Sequence, residues 1–570
     1  MKDFCVVVAG EAGQGIQTVE NLLPLILKRS GFHVFSYKEY MSRIRGGSNS
    51  TLIRVSSEPC SAFRRAIDLL VLLSDDAKHI DRLAPRLGKG TVILANKAIA
   101  LPAPCCQASL LTWPITDLAL QAGHRIYANS VVCGIISGLL QAPLPICQRS
   151  VEEYFASKEE KIRRQNYLAF ELGYHQGQQN RAAFPLLNEL IPKEEVKLYN
   201  ILSGSEAVAL GALAGGCNFI SSYPMSPSTG VLVALANYSR FFDLVVEQAE
   251  DEISAINMAL GAWYAGARAM VTTSGGGFAL MVEALSLTGM IESPLVINLG
   301  QRPGPATGLP TRTEQADLLF SLYSGHGEFP RIILAPGNIE QAFYLAHRAF
   351  YLADKFQVPV IILTDQYLLD SVKDVSTLQF PEKIEDFFEP TEADYLRYKI
   401  TASGLSPRGI PGLGRGFVCL DSDEHDESGR IIEDPLLRQK MVQKRLAKGQ
   451  VLKKEALPPE LIGRDDARFL VLSFGSTRDV IAEAITDLPS VALLHYSQLA
   501  PLRPPPPQLL SRAKKIIVVE GNATGQLRRL LRVEAGLDSS LPINKYDGLP
   551  FSVEEIREGL KKITEEASHG

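Results

Sequence analysis

The chain has 570 residues of which 46% are hydrophobic, enough for two to four domains with interiors of their own and too many for one core. Its 58 basic and 63 acidic residues are mixed throughout and leave a net charge of −5, which excludes the basic field of a nucleic-acid binder or an anionic-membrane binder. The expected partners are small molecules or other proteins. Eight cysteines are scattered without a C-x-x-C pair, so this chain is expected to hold no iron–sulfur or zinc site alone.

The N-terminal "FCVVVAGEAGQGIQTVENLLPLILKRSGFHVFSY" reads as a strand, a glycine turn, an amphipathic helix stopped at Gly31 and a second strand, the start of a βαβ unit. Nothing before it resembles a basic leader, and the chain lacks an apolar run of the ~20 residues that span a bilayer, so the expectation is a cytoplasmic protein. The glycines Gly10, Gly13 and Gly15 stand where a phosphate-cradling loop would, although G-x-x-G-x-G is not the dinucleotide fingerprint and a tight strand-to-helix turn explains it equally. In "SRIRGGSN", Arg43 and Arg45 beside two glycines add a candidate anion site. The short apolar runs "DLLVLLS" and "GTVILAN" predict strands buried in a parallel sheet.

Residues 1–175 thus form a first α/β domain, and the amide-rich stretch 176–197 reads as a linker. A second α/β block, 198–375, ends on the strand-like "VPVIILTD". Residues 376–465 break the rhythm and read as an irregular excursion. The third block, 466–570, carries three buried-strand signals in "RFLVLSFGST", "SVALLHYSQLAPL" and "KKIIVVEGNATGQLRRLLR". The fold class is α/β, with three such domains in series.

Four features of the middle block suggest chemistry. In "SYPMSPST" two prolines force a rigid non-helical turn that presents Tyr223, Ser226, Ser228 and Thr229, suited to a small polar ligand or to a plain helix start. In "EQAEDEISAINMALGA" several carboxylates crowd a helix start, where the helix dipole favours them. Glu252 stands at the border with the apolar run, so it is the one expected to face an interior and to need a partner there. The run Gly275, Gly276, Gly277 lets a flat ligand, or another helix, approach backbone closely. Arg302, on the proline-rich loop "GQRPGPATGLPTRTEQADL" with Thr307 and Thr311, can clamp a carboxylate with its planar fork. The acidic "DSDEHDE" lacks the glycine of a calcium loop and reads as a solvated acidic loop; no metal site is expected, and the vicinal Cys105 and Cys106 read as structural.

As a set, "AGEAGQGIQT" with "SRIRGG", "SYPMSPST", "AEDEISAINMALGA", "QRPGPATGLPT", "GLSPRGIPG", "DSDEHDESG" and "EGNATGQLRRLLR" resemble the α subunit, with the γ part fused at its N-terminus, of thiamine-diphosphate-dependent 2-oxoacid:ferredoxin oxidoreductases. The match spans nearly the whole chain. It implies a Rossmann-like γ domain, a pyrimidine-binding-type domain and a transketolase C-terminal-like domain. It implies oxidative decarboxylation of a 2-oxoacid to an acyl-CoA, with 2-oxoglutarate favoured and pyruvate, a branched-chain or another 2-oxoacid as the alternative. Glu252 would activate the cofactor, with Gly275, Gly276 and Gly277 against it. Tyr223, Ser226, Arg302 and Thr311 would hold the substrate, and Gly13, Gly15, Arg43 and Arg45 would take CoA or phosphate. Ser226 replaces the threonine of the family's "YPITPSS", and "SGGG" stands where many members have "SGPG", departures that bear on the substrate and not on the class.

The chain has no Gly-Asp-Gly, the motif that holds the diphosphate through Mg²⁺ in this superfamily. The resemblance therefore assigns Mg²⁺ binding and the iron–sulfur cluster to a β subunit, in an αβ or (αβ)2 assembly that serves ferredoxin. Two other classes remain open on the residues alone. The N-terminal glycines fit a nucleotide-binding Rossmann-type protein, and the fold fits a non-catalytic scaffold, against which Glu252 and Arg302 both argue.

Overall fold

The computed structural model describes residues 3–11, 15–41, 47–73, 78–97 and 107–569, so Gly13, Arg43, Arg45, Cys105 and Cys106 lie outside the described residues. These residues form two compact units: Met1–Ser203 with Asp370–Leu378 and Ser552–Glu554, and Gly204–Leu369 with Gln379–Phe551 and Glu555–Gly570.

The first unit is built on an eight-stranded mixed sheet. Its central strand, Asp3–Glu11, is buried from Phe4 to Gly10, as expected of an apolar run covered on both faces. The runs 69–72, 92–95 and 109–112 continue from it in parallel. On its other side lies Ser48–Ser56, antiparallel, and then His33–Glu39. The predicted βαβ start is thus split by a strand that arrives later in the chain. Beyond His33–Glu39 comes Ser371–Val375, followed by Asn200–Ser203. The buried Asp374 fastens this late strand, one oxygen meeting His33 Nδ1 and the other accepting from the Val34 N–H, each at 2.7 Å.

Helices Ala128–Leu139 and Glu160–Gln179 pack backbone to backbone. Gly134 and Gly138 of the first meet Phe170 and Tyr174, while Gly173 and Gly177 of the second meet Val131 and Ile135; a Cβ at any of the four would overlap a carbonyl oxygen. Glycines four apart share one helix face, which is why two G-x-x-x-G stretches can seat on each other. The polar stretch after Tyr174 stays helical to Gln179 and then continues as short 3₁₀ turns.

The second unit holds two sheets. The seven-stranded one runs, edge to edge, Gln498–Ala500, Ile332–Leu334, Pro359–Asp365, Leu295–Gln301, Ala269–Thr273, Phe219–Ser222 and Val245–Gln248. All are parallel except Gln498–Ala500. The five-stranded sheet is centred on Phe469–Phe474, with Val491–Tyr496 and Lys515–Glu520 parallel on either side, the three strands predicted for the third block. Among the described residues, no helix is long and apolar enough to cross a membrane.

Residues 376–465 have little regular structure before helix Pro435–Glu455, yet buried charges fasten them. Glu292 receives Lys444 at 2.5 Å and Lys448 at 2.6 Å from that helix, all three side chains nearly inaccessible. Asp354 pairs with Arg268 at 2.8 Å and with Arg408. The acidic loop departs from its expected solvated state. His425 is buried against Tyr398, ring centroids 3.9 Å apart, and Glu424 pairs with Arg445 at 2.8 Å and with Arg438. Acidic composition suggests solvation only until cations from the next helix, Pro435–Glu455, fold back to neutralise it. Among the described residues, no cluster of metal-ligating side chains forms.

Glu292→Gln is expected to cost about 3–5 kcal/mol in a denaturant melt, because it strands two buried ammonium groups. Burial alone would raise the Glu292 carboxyl, but Lys448, Lys444 and Arg397 pull it down to about 2. Its contribution should therefore be complete above the ordinary glutamate value of 4.5 and lost as pH falls through about 2.

Candidate active site

The residues singled out in the middle block all follow carboxyl ends of parallel strands in the seven-stranded sheet, where open α/β sheets bind ligands. Strand Phe219–Ser222 leads into the Tyr223–Ser228 turn, Val245–Gln248 into Glu252, Ala269–Thr273 into the glycine run, and Leu295–Gln301 directly into Arg302. From Phe219–Ser222 the chain passes outward to Val245–Gln248, then crosses back to Ala269–Thr273 on the other side. Such a reversal of strand order is where open α/β sheets place their ligands, here between the turn and the glycine run.

Glu252 is the first residue of helix Glu252–Tyr264, capped by Asp251, whose carboxylate accepts from the Ser254 N–H at 2.7 Å. Glu247, Glu250 and Asp251 are exposed, whereas Glu252 is 4% exposed, the division expected from the polar-to-apolar border. Its Oε1 is buried without a hydrogen-bond partner. Such a carboxylate is costly unless a donor is supplied to it. It packs on Gly277: a Cβ there would lie 2.6 Å from Glu252 Oε1 and would overlap Thr273 Oγ1. Glycine is required at 277 because the Thr273 hydroxyl and the Glu252 carboxylate together occupy the side-chain space. Gly276 is exposed, with only the Ala306 carbonyl oxygen near its Cβ position, so backbone is presented openly there.

Arg302 Nη1 donates to the Ser226 carbonyl oxygen at 2.7 Å, bringing together two residues 76 apart in sequence. Burial lowers the guanidinium from its usual value and Asp317 partly offsets this. Ser226 is half-buried on the turn, and Tyr223 on the same turn is 40% exposed. Within the turn Ser228 Oγ donates to the Met225 carbonyl oxygen at 2.8 Å, the local bond that replaces helix geometry. Thr311 is buried on the Arg302 loop.

That loop is gripped by the third α/β block. Gln315 N–H donates to the Gly521 carbonyl oxygen at 2.6 Å and its Oε1 accepts from the Gly521 N–H at 2.9 Å. Asn522 Nδ2 donates to the Gln315 carbonyl oxygen at 3.1 Å, and Gln526 Nε2 to that of Ala316 at 2.6 Å. Sequence reading missed Gln315 and Asp317; the signal was "TEQAD" itself, polar residues directly after a rigid loop, but the Gly521 and Asn522 partners of Gln315 lie some 200 positions away, whereas Asp317 is held by the nearby Gln301 and Ser321. Gly15, in the first unit, is at φ 78 before helix Ile16–Arg29, and a Cβ there would lie 2.8 Å from Asn129 Nδ2.

Comparison with known proteins gives a consistent picture. Residues 210–444 match the family described as "Pyruvate flavodoxin/ferredoxin oxidoreductase, thiamine diP-bdg", and residues 5–176 match "Pyruvate ferredoxin/flavodoxin oxidoreductase". A 2-oxoacid:ferredoxin oxidoreductase subunit alpha from Sulfolobus sp is 32% identical, covering 98% of this chain and 96% of the relative. The 2-oxoglutarate oxidoreductase subunit KorA of Mycobacterium tuberculosis is 34% identical over 75% of this chain and 67% of its own length. A solved 2-oxoglutarate:ferredoxin oxidoreductase from Magnetococcus marinus, with 2-oxoglutarate, coenzyme A and succinyl-CoA bound, superposes with a TM-score of 0.90 at 29% identity over 99% of both chains. The order of the two matched segments, the spread of the likeness over the whole chain and the three α/β sheets agree: the chain belongs to the alpha subunits of the 2-oxoacid:ferredoxin oxidoreductases.

Proposed function

We propose that this chain supplies the oxoacid-binding half of an active site that oxidatively decarboxylates a 2-oxoacid, 2-oxoglutarate first, to an acyl-CoA and CO2, with electrons leaving to ferredoxin through a cluster in the partner subunit. The observation that carries the reading is Glu252 Oε1, a buried acceptor without a donor, seated on Gly277 at the carboxyl end of the sheet. These residues fit the aminopyrimidine of thiamine diphosphate, whose ring N–H would satisfy that oxygen. Bound there, the cofactor supplies the carbon nucleophile and the electron sink.

Glu252 holds a proton at the ring nitrogen, and the Gly275, Gly276 and Gly277 backbone admits the ring. Arg302 binds the substrate carboxylate, Thr311 and the Ser226 hydroxyl orient it, and Tyr223 flanks the entrance. The diphosphate and its Mg²⁺ belong to the partner, because this chain has no Gly-Asp-Gly. Gly13, Gly15, Arg43 and Arg45 are assigned to CoA or phosphate, and the assembly to αβ or (αβ)2 in the cytoplasm. The 2-oxoglutarate preference is supported by the bound substrate of the Magnetococcus marinus enzyme and by the name of the Mycobacterium tuberculosis relative.

The test is turnover of the assembled enzyme with CoA and a viologen dye over pyruvate, 2-oxobutyrate, 2-oxoglutarate and a branched-chain oxoacid. Highest kcat/KM with 2-oxoglutarate is expected; turnover of none of them would end the proposal. Arg302→Lys should raise KM for the oxoacid about tenfold or more with little change in the KM for CoA, since a point charge replaces a bidentate fork. A loss confined to CoA would place Arg302 in another subsite. Ser226→Thr should shift preference within the panel by adding a methyl group beside the substrate.

A further inference from the structure

Asp317 belongs to none of the roles above, yet it stands between the glycine run and the start of the Arg302 loop. Its backbone is pinned: the N–H donates to Gln301 Oε1 at 3.0 Å, one residue before Arg302, and its carbonyl oxygen accepts from Ser321 Oγ at 2.7 Å. Its carboxylate lies over Gly275, where a Cβ would come within 2.7 Å of Oδ2 and 3.0 Å of Oδ1, so glycine is what admits it. Oδ2 is buried with no hydrogen-bond partner. The cation acting on it is Arg302. Two further carboxylates lie close by: Glu314 in its own loop, and Glu252, which packs on Gly277 two residues along the same glycine run.

We propose that Asp317 is a positioning residue that couples capture of the 2-oxoacid carboxylate by Arg302 to uptake of one proton from solvent, so that oxoacid affinity falls as pH rises. The proposal rests on Arg302 being the carboxylate clamp. When an oxoacid carboxylate occupies Arg302, two anions share one guanidinium among half-buried side chains, and like charges so placed disfavour joint ionisation. Asp317 then takes the proton, on the oxygen that lacks a donor. Burial already holds its carboxyl up to about 6 against the pull of Arg302, so little further shift is needed for the coupling to act near neutrality. The sign follows: free Asp317 is ionised above about 6, the substrate complex prefers it protonated, and the apparent KM climbs with pH above that value. The limiting slope is about tenfold per pH unit.

The test uses the enzyme assembled with its partner subunit. KM for 2-oxoglutarate and for pyruvate is measured from about pH 6 to about pH 8.5, a range around the ordinary histidine value and well above free carboxylates. Proton uptake is read by calorimetry of 2-oxoglutarate binding without CoA or thiamine diphosphate, in two buffers of different ionisation enthalpy. Wild type is expected to take up a proton and to show a rising KM. Asp317→Asn should abolish the uptake, flatten the profile and lower KM several-fold at the alkaline end; Asp317→Ser should do the same, which separates loss of charge from a misfit of the amide. A KM raised equally at every pH in both variants would make Asp317 a structural prop and overturn the coupling. Uptake that persists in them would also overturn it. Arg302→Ala separates the two readings: unchanged oxoacid binding removes the clamp and the coupling together, whereas lost binding with unaltered proton uptake in the Asp317 variants removes the coupling alone.

Discussion

Glu252→Gln is expected to leave an assembled, folded enzyme whose kcat is lower by about 10²–10⁴, the range set by losing a positioned proton-holding group. The substitution is nearly isosteric, so the packing of the side chain on Gly277 and Thr273 survives. What is lost is the ability of Oε1 to hold a proton shared with the ring nitrogen, because an amide oxygen is a far weaker base than a carboxylate. Thiamine diphosphate binding should remain measurable by calorimetry, and KM for the oxoacid should move little, the signature of an interaction that matters more to the transition state than to binding. Glu250→Gln provides the contrast. Glu250 is exposed and accepts from Ser254 Oγ at 3.1 Å, so its replacement should have a small effect. Wild-type turnover in the Glu252 variant would remove the assignment.

The chain purified alone should be colourless and should reduce no dye. It carries the buried carboxylate and the arginine, but no Gly-Asp-Gly and no cysteines spaced for a cluster. The strand and helices that bear the site also expose large apolar side chains, Val245, Ile253 and Leu280 among them, with Phe241 81% exposed nearby in sequence. Apolar surface of this kind belongs to obligate interfaces and makes an isolated subunit self-associate. Co-expression with a β subunit of the same family should give a brown, active and well-behaved complex. A monodisperse, active preparation of this chain alone, with stoichiometric iron, would contradict the division of labour between the two subunits.

Much of this molecule was legible in local pattern. Apolar runs such as 4–10, 69–72 and 469–474 are strands because a buried parallel sheet needs side chains that tolerate burial on both faces. Glu252 was legible as the interior carboxylate because it stands where polar residues give way to apolar ones, and the proline turn at 222–229 because ring geometry forbids helix there. Local pattern says what an element is and which face it buries, but not which edge it joins. Ser371–Val375 comes one short helix after a strand of the seven-stranded sheet yet pairs with His33–Glu39, where Asp374 meets His33. His425 is buried against Tyr398, while Arg438 and Arg445 of the following helix fold back onto its neighbour Glu424. The Arg302 loop is held by Gly521, Asn522 and Gln526, and Asp317 owes its environment to Gly275 and Arg302. Those features rest on contacts between residues far apart in the chain, so only the tertiary structure could decide them.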